Sequence, residues 1–260
     1  MDLAKIIIAG KTRNYTDLNA AEIAIARKLS GGGAPSSVPF ATGTDEQILA
    51  MIQAAHAGTI DLQTDGGWAV GDTRTINVSA FTANDGKDDV SYSAQNVDIV
   101  ITSFDDYKSC GCVMQFDFKN ALAEKAYMDY YTRNYEETPM YLNTLPALVA
   151  ALPTWISDNL ISFDVDCCVR SSTSTVYTVS NNKLALRSNK EVTGSTNYAG
   201  GTQLQYYTTA DNRIKKLGNN GAADFWNTRT VYTSYVFITS SGGTTTATRL
   251  KAGVAPFGCL

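Results

Sequence analysis

The sequence is poor in the residues that most often carry catalysis. One histidine, His56, stands among 260 residues, so a catalytic triad or a histidine-ligated metal site would have a single imidazole to use. Its position near the C-terminal end of a predicted helix favours an electrostatic role there. The nucleophile motif G-x-S-x-G is missing, and the glycines at 31–33 lack the Lys-Ser/Thr of a phosphate-binding loop. We therefore expect no enzyme, no cofactor and no metal site.

The chain also lacks a large excess of charge of either sign. The chain has 21 Lys and Arg residues against 25 Asp and Glu residues, which gives a formal net charge of -4, and its basic residues form no stripe along the sequence. Such a chain offers little attraction to a polyanionic backbone. We expect no nucleic acid among its partners.

Long apolar runs are missing as well. The longest ones, at 6–9 and 145–152, are far shorter than the roughly 20 residues that a membrane-spanning helix requires. The first run is also too short for the core of a signal peptide. These lengths predict a protein that is made in a cytoplasm and is not inserted into a membrane.

The cysteines do not suggest a metal site or a disulfide framework. They are odd in number and include no C-x-x-C pair. Adjacent cysteines in a strand would point to opposite faces of the sheet, which suits small apolar fillers better than joint ligands. The sequence predicts buried thiols at all five positions, Cys110, Cys112, Cys167, Cys168 and Cys259.

Two acidic clusters leave calcium binding open as an alternative. One comprises Asp85, Asp88 and Asp89, and the other comprises Asp105 and Asp106. Neither follows the Asp-x-Asp-x-Asp-Gly loop pattern of calcium sites. Because aspartate is frequent in turns through its local hydrogen bonds, solvated turns are the favoured interpretation.

The glycines at 31–33 are predicted to separate an N-terminal segment from the rest of the chain. This segment is expected to hold a short strand at 5–9 and an Ala-rich helix at 16–29, whose apolar face suits attachment or oligomerisation. The predicted division is an attachment segment at 1–33, a linker with a capped helix at 34–59, and one larger domain at 60–260.

Periodicity predicts the remaining elements. Thr44-Asp45-Glu46-Gln47 is a capping box that opens a helix running to Ala57. Alternating apolar and polar residues at 75–81 predict a half-buried strand. Further strands are predicted at 97–104, 113–118, 163–169, 176–179 and 231–239, and helices at 121–131 and 145–152. Because parallel βαβ alternation is absent, the predicted class is α+β, a mostly antiparallel sheet with packed helices.

Three stretches of the C-terminal half carry a family resemblance. They are Tyr141-Leu142-Asn143 with Leu148-x-x-x-Leu152-Pro153, then Leu186-Arg187-Ser188-Asn189-Lys190-Glu191-Val192-x-Gly194-Ser195, then Phe225-Trp226-Asn227-Thr228-Arg229-Thr230 with Gly253-Val254-Ala255-Pro256-Phe257. Their order resembles an uncharacterised domain family of gut-bacterial and phage proteins, related to C-type-lectin-like (formylglycine-generating-enzyme-like) folds. The resemblance covers residues 60–260. The chain departs from the family pattern in one extra residue before Arg229 and in the direct Pro256-Phe257 step.

The resemblance implies a C-type-lectin-like domain on the surface of a phage virion. Such a protein would be a tail adhesin or a head fibre or decoration protein that binds a host-surface glycan or protein. Its partners would include other virion proteins through residues 1–33, and a homo-oligomer is expected because multivalency strengthens surface binding.

The segment 219–235 is the predicted ligand-binding region. It is dense in amide, aromatic and guanidinium groups, which are typical of binding faces. Trp226 and Arg229 would also suit a bracing role in the core. The predicted ligand-binding residues are Asn219, Asn220, Asp224, Trp226, Asn227, Arg229, Tyr232 and Tyr235.

An enzyme on the same fold is the alternative. It would be a copper-dependent oxidase that uses cysteines, or a glycan hydrolase that uses carboxylates drawn from Glu136, Glu137 and Glu191. The sequence sets no separation between those carboxylates, although that separation decides the hydrolytic mechanism.

Overall fold

The structure is a computed structural model that describes residues 5–8, 11–14, 35–131, 133–170, 172, 174–197, 201–231, 234–247 and 249–260. The chain separates into two compact units, Met1–Ala69 and Val70–Leu260. The helix predicted at 16–29 lies outside the described residues. The divisions predicted after residues 33 and 59 stay predictions.

The first unit contains a hairpin and a capped helix. The hairpin pairs β1 (Lys5–Ile8) with β2 (Lys11–Asn14), and the helix is α1 (Asp45–His56). The predicted capping box is confirmed, because the Thr44 hydroxyl accepts from the Gln47 amide while the Gln47 side chain accepts from the Thr44 amide. The helix ends at His56, one residue before the predicted end, and Ala57 is its C-cap.

A small apolar core lies on one face of α1. The helix buries Ile48, Met51, Ile52 and Ala54. In the same unit the indole of Trp68 donates to the Val38 carbonyl at 2.8 Å and its ring lies 5.1 Å from that of Phe40.

The second unit is built mostly of strands. Those described are β3 (Thr73–Val78), β4 (Phe81–Asn84), β5 (Asp89–Tyr92), β6 (Gln95–Ser103), β7 (Gln115–Phe118), β8 (Lys125–Tyr127), β9 (Phe163–Cys168), β10 (Val176–Asn182), β11 (Leu184–Leu186), β12 (Lys215–Lys216), β13 (Ala223–Asp224), β14 (Trp226–Val231), β15 (Tyr235–Ile238), β16 (Thr244–Ala247), β17 (Lys251–Gly253) and β18 (Pro256–Cys259). The α-helices of this unit are short, namely α2 (Leu145–Ala151), α3 (Thr154–Ser157) and α4 (Asn189–Thr193). A π-helical turn, Met140–Thr144, precedes α2, and the 3-10 turns are Lys108–Cys110, Tyr135–Glu137, Gln205–Thr208 and Ala210–Arg213.

Two five-stranded sheets organise this unit. The first has the order β11-β18-β7-β6-β3 and is antiparallel throughout. The second has the order β16-β15-β14-β17-β8, in which β14 and β17 run parallel and the other neighbours run antiparallel. The two-stranded pairs are β4-β5, β9-β10 and β12-β13. The predicted α+β class with a mostly antiparallel sheet is confirmed.

One predicted helix is wrong. Residues 121–131 contain the strand β8 and irregular chain instead, because their backbone bonds reach distant segments. The Ala121 amide donates to the Lys216 carbonyl and the Leu122 amide donates to the Val254 carbonyl, both at 2.9 Å. Pairing with β17 then overrides the local helical pattern of apolar residues. The helix predicted at 145–152 is confirmed as α2.

The cysteine prediction holds at four of five positions. Cys112, Cys167, Cys168 and Cys259 are buried free thiols, whereas Cys110 is exposed. Cys110 closes a 3-10 turn at the surface, which explains the difference. Among the described helices, none has the length and apolar character needed to cross a bilayer.

A buried ion pair braces the first sheet. The Arg187 guanidinium donates to Asp117 Oδ1 at 2.6 Å, and both side chains are fully buried. The Tyr207 hydroxyl donates to the second oxygen of Asp117 at 2.5 Å, and the guanidinium lies 3.5 Å from the centre of the Phe257 ring. Each charge would be costly to bury without the other. Asp117 lies on β7, Arg187 directly follows β11 and Phe257 lies on β18, so the network links these three strands.

Candidate ligand-binding site

The structure separates the predicted ligand-binding residues into three groups. Tyr232 lies outside the described residues. Asn219, Asn220 and Asp224 are at least partly exposed. The buried group comprises Trp226, Asn227, Arg229 and Tyr235.

The buried group bonds to the chain itself. The two terminal nitrogens of Arg229 each donate to a different oxygen of Glu191 at 2.7 Å. The Trp226 indole donates to the Arg213 carbonyl at 2.9 Å, and the Asn227 amide donates to the Ala252 carbonyl at 3.1 Å. These side chains therefore brace the second sheet, and the prediction of a ligand-facing surface does not describe them.

Asp224 leads from the predicted segment to an open cleft. Its carboxylate lies 2.5 Å from Lys125 Nζ, and Lys125 belongs to the cleft wall. The cleft has a volume of about 530 Å³, which falls in the range of small-ligand sites. We name it the Lys251 cleft, and its lining is Asp89, Val90, Ser91, Ala123, Glu124, Lys125, Leu217 and Lys251.

The hairpin of β4 and β5 forms one wall of the cleft, and Asp85 fixes its turn. One oxygen of the buried Asp85 carboxylate accepts from the amides of Lys87 and Asp88 at 3.1 and 2.9 Å. The other oxygen accepts from the Tyr127 amide at 3.2 Å. The turn is therefore held against β8, the strand that carries Lys125 into the cleft.

Three tyrosines extend from the cleft in contact with one another. The rings of Tyr127 and Tyr130 lie 5.6 Å apart, those of Tyr130 and Tyr131 lie 5.5 Å apart, and both pairs meet edge to face. Such edge-to-face contacts are favourable for aromatic pairs. Tyr131 is 56% exposed, which is the largest exposure among the described large apolar side chains.

Four cations lie over these rings. Lys251 is 5.1 Å from the centre of Tyr127, and Arg133 is 5.4 Å from that of Tyr131. Lys87 and Arg249 both lie over Tyr130. All these distances are within the range of cation–π attraction. We name this surface the tyrosine–cation face, formed by Tyr127, Tyr130, Tyr131, Lys87, Arg133, Arg249 and Lys251.

Carboxylates neutralise two of the four cations. Lys251 Nζ lies 3.2 Å from Asp88 and 3.5 Å from Asp85. Desolvation lowers the pKa of Lys251, but the hydrogen bond to Asp88 and the charge of Asp85 outweigh it and hold that pKa above 10.5. Arg133 pairs with the buried Asp129 at 3.3 Å. Lys251 is thus protonated near neutral pH. It belongs both to the lining of the Lys251 cleft and to the tyrosine–cation face.

The acidic cluster at Asp85, Asp88 and Asp89 is engaged within the chain. Asp85 holds the turn, Asp88 pairs with Lys251, and Asp89 accepts from the Asn84 side chain at 2.8 Å. Across the described residues, no group of three or more His, Cys, Asp or Glu side chains is arranged to hold a metal ion. The turn interpretation of this cluster accounts for its contacts.

The carboxylates suggested for a hydrolase lie apart from the cleft lining. Glu191 is buried and bonded to Arg229. Glu136 accepts from the Tyr177 hydroxyl, and Glu137 accepts from the Asn134 amide at 3.1 Å. Two carboxylates line the cleft: Asp89 was considered from the sequence only as part of an acidic cluster, and Glu124 was not singled out. The enzyme alternative stays a prediction.

Comparisons of this chain with protein-family models, curated proteins and solved structures give no match.

Proposed function

We propose that this protein belongs to the surface of a phage virion and that its second unit is a C-type-lectin-like domain that binds a host-surface glycan. The order of the three C-terminal motifs supports the virion context and the lectin-like assignment. The observation that carries the binding proposal is the run of Tyr127, Tyr130 and Tyr131 beside an open polar cleft.

The chemistry of this surface suits a sugar polymer. The C–H faces of sugar rings pack on aromatic side chains, and an exposed tyrosine provides such a platform at low entropic cost. Sugar hydroxyls need directed donors and acceptors, which Asp89, Ser91, Glu124 and Lys125 supply at the cleft. The tyrosine–cation face and the Lys251 cleft would then bind neighbouring sugars of one chain.

A binding assay on purified protein tests this proposal. The full chain is titrated with host-envelope polysaccharides, and its Tyr131→Ala variant is expected to bind at least about fivefold more weakly, because loss of one aromatic contact costs about 1 kcal/mol. Val176→Ala is the control, since Val176 is 42% exposed, lies on β10 and is not among the residues that line the cleft. A parent protein that binds no glycan, or a Tyr131→Ala variant that binds like the parent, would contradict the proposal.

The virion context has its own test. Purified phage particles should react with an antibody against the second unit, and the label should lie on intact particles. Residues 1–33, of which the structure describes the β1–β2 hairpin, are proposed to attach the chain to other virion proteins and to support homo-oligomerisation. Absence of the chain from purified particles would rule out this context while leaving glycan binding open.

A further inference from the structure

Two cations of the tyrosine–cation face lie over one ring, and neither has a carboxylate partner in the described part of the chain. The Lys87 ammonium lies 5.4 Å from the centre of the Tyr130 ring, and the Arg249 guanidinium carbon lies 4.5 Å from it. Both residues are exposed. Neither forms an ion pair with any residue that the structure describes, in contrast to Lys251 and Arg133.

The two groups lie less than 10 Å apart, because both are close to the centre of one ring. Two like charges held against one ring repel each other, and the negative face of the ring offsets only part of that repulsion. An anion bound beside the ring within reach of both groups would offset the repulsion and accept hydrogen bonds from both side chains. Arginine is suited to this role because its planar donors match a carboxylate or a phosphate.

We infer that Lys87, Arg249 and Tyr130 form a subsite for the anionic group of an acidic polysaccharide. The inference rests on the proposed glycan-binding function and names its ligand class. The anionic group would be a sugar carboxylate or a phosphate diester, which share the oxygens that these cations recognise. The neighbouring rings of Tyr127 and Tyr131 pack against the adjoining sugars.

The carboxylates of the adjoining cleft favour a polymeric ligand whose negative charges are widely spaced. Asp89 and Glu124 line it, and Asp88 stands at its edge beside Lys251. These carboxylates would repel a polymer that carries a charge at every unit, such as single-stranded nucleic acid. A polysaccharide with acidic groups separated by neutral sugars places its charge at Tyr130 and its neutral hydroxyls in the cleft.

Calorimetric titration of the full chain tests the inference. The probes are an acidic heteropolysaccharide with alternating uronate and neutral sugars, a polysaccharide whose phosphate diesters are separated by neutral sugars, a neutral dextran and single-stranded DNA. We expect the parent to bind one or both acidic glycans at least about tenfold more tightly than dextran, because charge-assisted hydrogen bonds are the stronger class. Their affinity should fall as salt concentration rises.

A double variant, Lys87→Gln with Arg249→Gln, should lose about tenfold in affinity for the acidic glycan and keep its affinity for dextran. The matched control is Lys119→Gln with Lys190→Gln, which changes the net charge equally outside the tyrosine–cation face and should bind like the parent. Equal binding of acidic and neutral glycans, or an unaffected double variant, would overturn the subsite and leave the proposed function standing. Tighter binding of DNA than of every glycan would also overturn it. A parent that binds no glycan would defeat the proposed function itself.

Discussion

Tyr127 and Lys251 are register partners across β8 and β17, and the Lys251 ammonium lies 5.1 Å from the centre of the Tyr127 ring. The same ammonium pairs with Asp88 in the β4–β5 turn. One cross-strand pair therefore fixes the hairpin, the cleft wall and the first tyrosine relative to one another.

Asp85 should matter for stability as well as for the site. Replacing it with alanine leaves the partly buried amides of Lys87, Asp88 and Tyr127 without their acceptor, so Asp85→Ala should lower the free energy of unfolding by about 1–3 kcal/mol. Equilibrium urea unfolding measures the change. Asp106→Ala, at an exposed turn position, is the control and should stay within about 0.5 kcal/mol of the parent. Equal losses in the two variants would show that Asp85 does not anchor the turn.

Breaking the buried Arg229–Glu191 pair should cost more than removing it. Arg229→Met leaves a buried carboxylate without its counter-charge, and we expect a loss of about 3–5 kcal/mol. Adding Glu191→Met removes the unpaired charge and should recover part of that loss. Denaturant unfolding of both single variants and of the double variant gives the coupling energy. Additive losses would mean that the pair contributes nothing as a pair.

Acid should destabilise the protein through two buried carboxyl groups. Desolvation raises the pKa of Asp117 and of Glu191, but Arg187 and Arg229 respectively outweigh it and hold each pKa below its ordinary value, 3.8 and 4.5. The stability from both pairs is therefore complete above pH 4.5 and is lost as the pH falls through the folded-state values. The free energy of unfolding should be level from about pH 7 to 5 and fall below pH 4.5. A level profile down to about pH 3 would contradict this assignment.

The five thiols should divide into one reactive group and four protected ones. Cys110 is exposed, and the others are buried. Burial raises the pKa of Cys167 to about 12, so its thiolate is scarce at pH 8. An aromatic disulfide reagent should therefore release one rapid equivalent from native protein and the other four only in denaturant. Cys110→Ser should abolish the rapid phase, and Cys168→Ser should leave it intact; two rapid equivalents in the parent would disprove the assignment.

Local signals in the sequence predicted the local structure well. The capping box at Thr44 placed the start of α1, and the alternation around Ile76 placed a strand there, observed as β3. Segment 121–131 could not be predicted in this way, because Ala121 and Leu122 take their backbone partners from residues 95 and 132 positions away in sequence, Lys216 and Val254. Long-range pairing decided their conformation.

The candidate site was hidden for a related reason. Lys87 comes from a hairpin turn, Tyr130 follows β8, and Arg249 precedes β17, so no stretch of sequence shows a basic cluster. The predicted segment 219–235 reaches the site through Asp224, which pairs with Lys125 at the cleft. The aromatic and guanidinium groups of this segment that lie on β14 are part of the core, since every residue of β14 is buried.

The position of β18 has a consequence for biosynthesis. This strand lies between β11 and β7, yet it is the last of the described strands in sequence order. Until the ribosome has translated β18, the edge of β7 that pairs with β18 is therefore open in the nascent chain. Open strand edges invite pairing with other chains. Chaperones that shield this edge during translation should raise the yield of native protein.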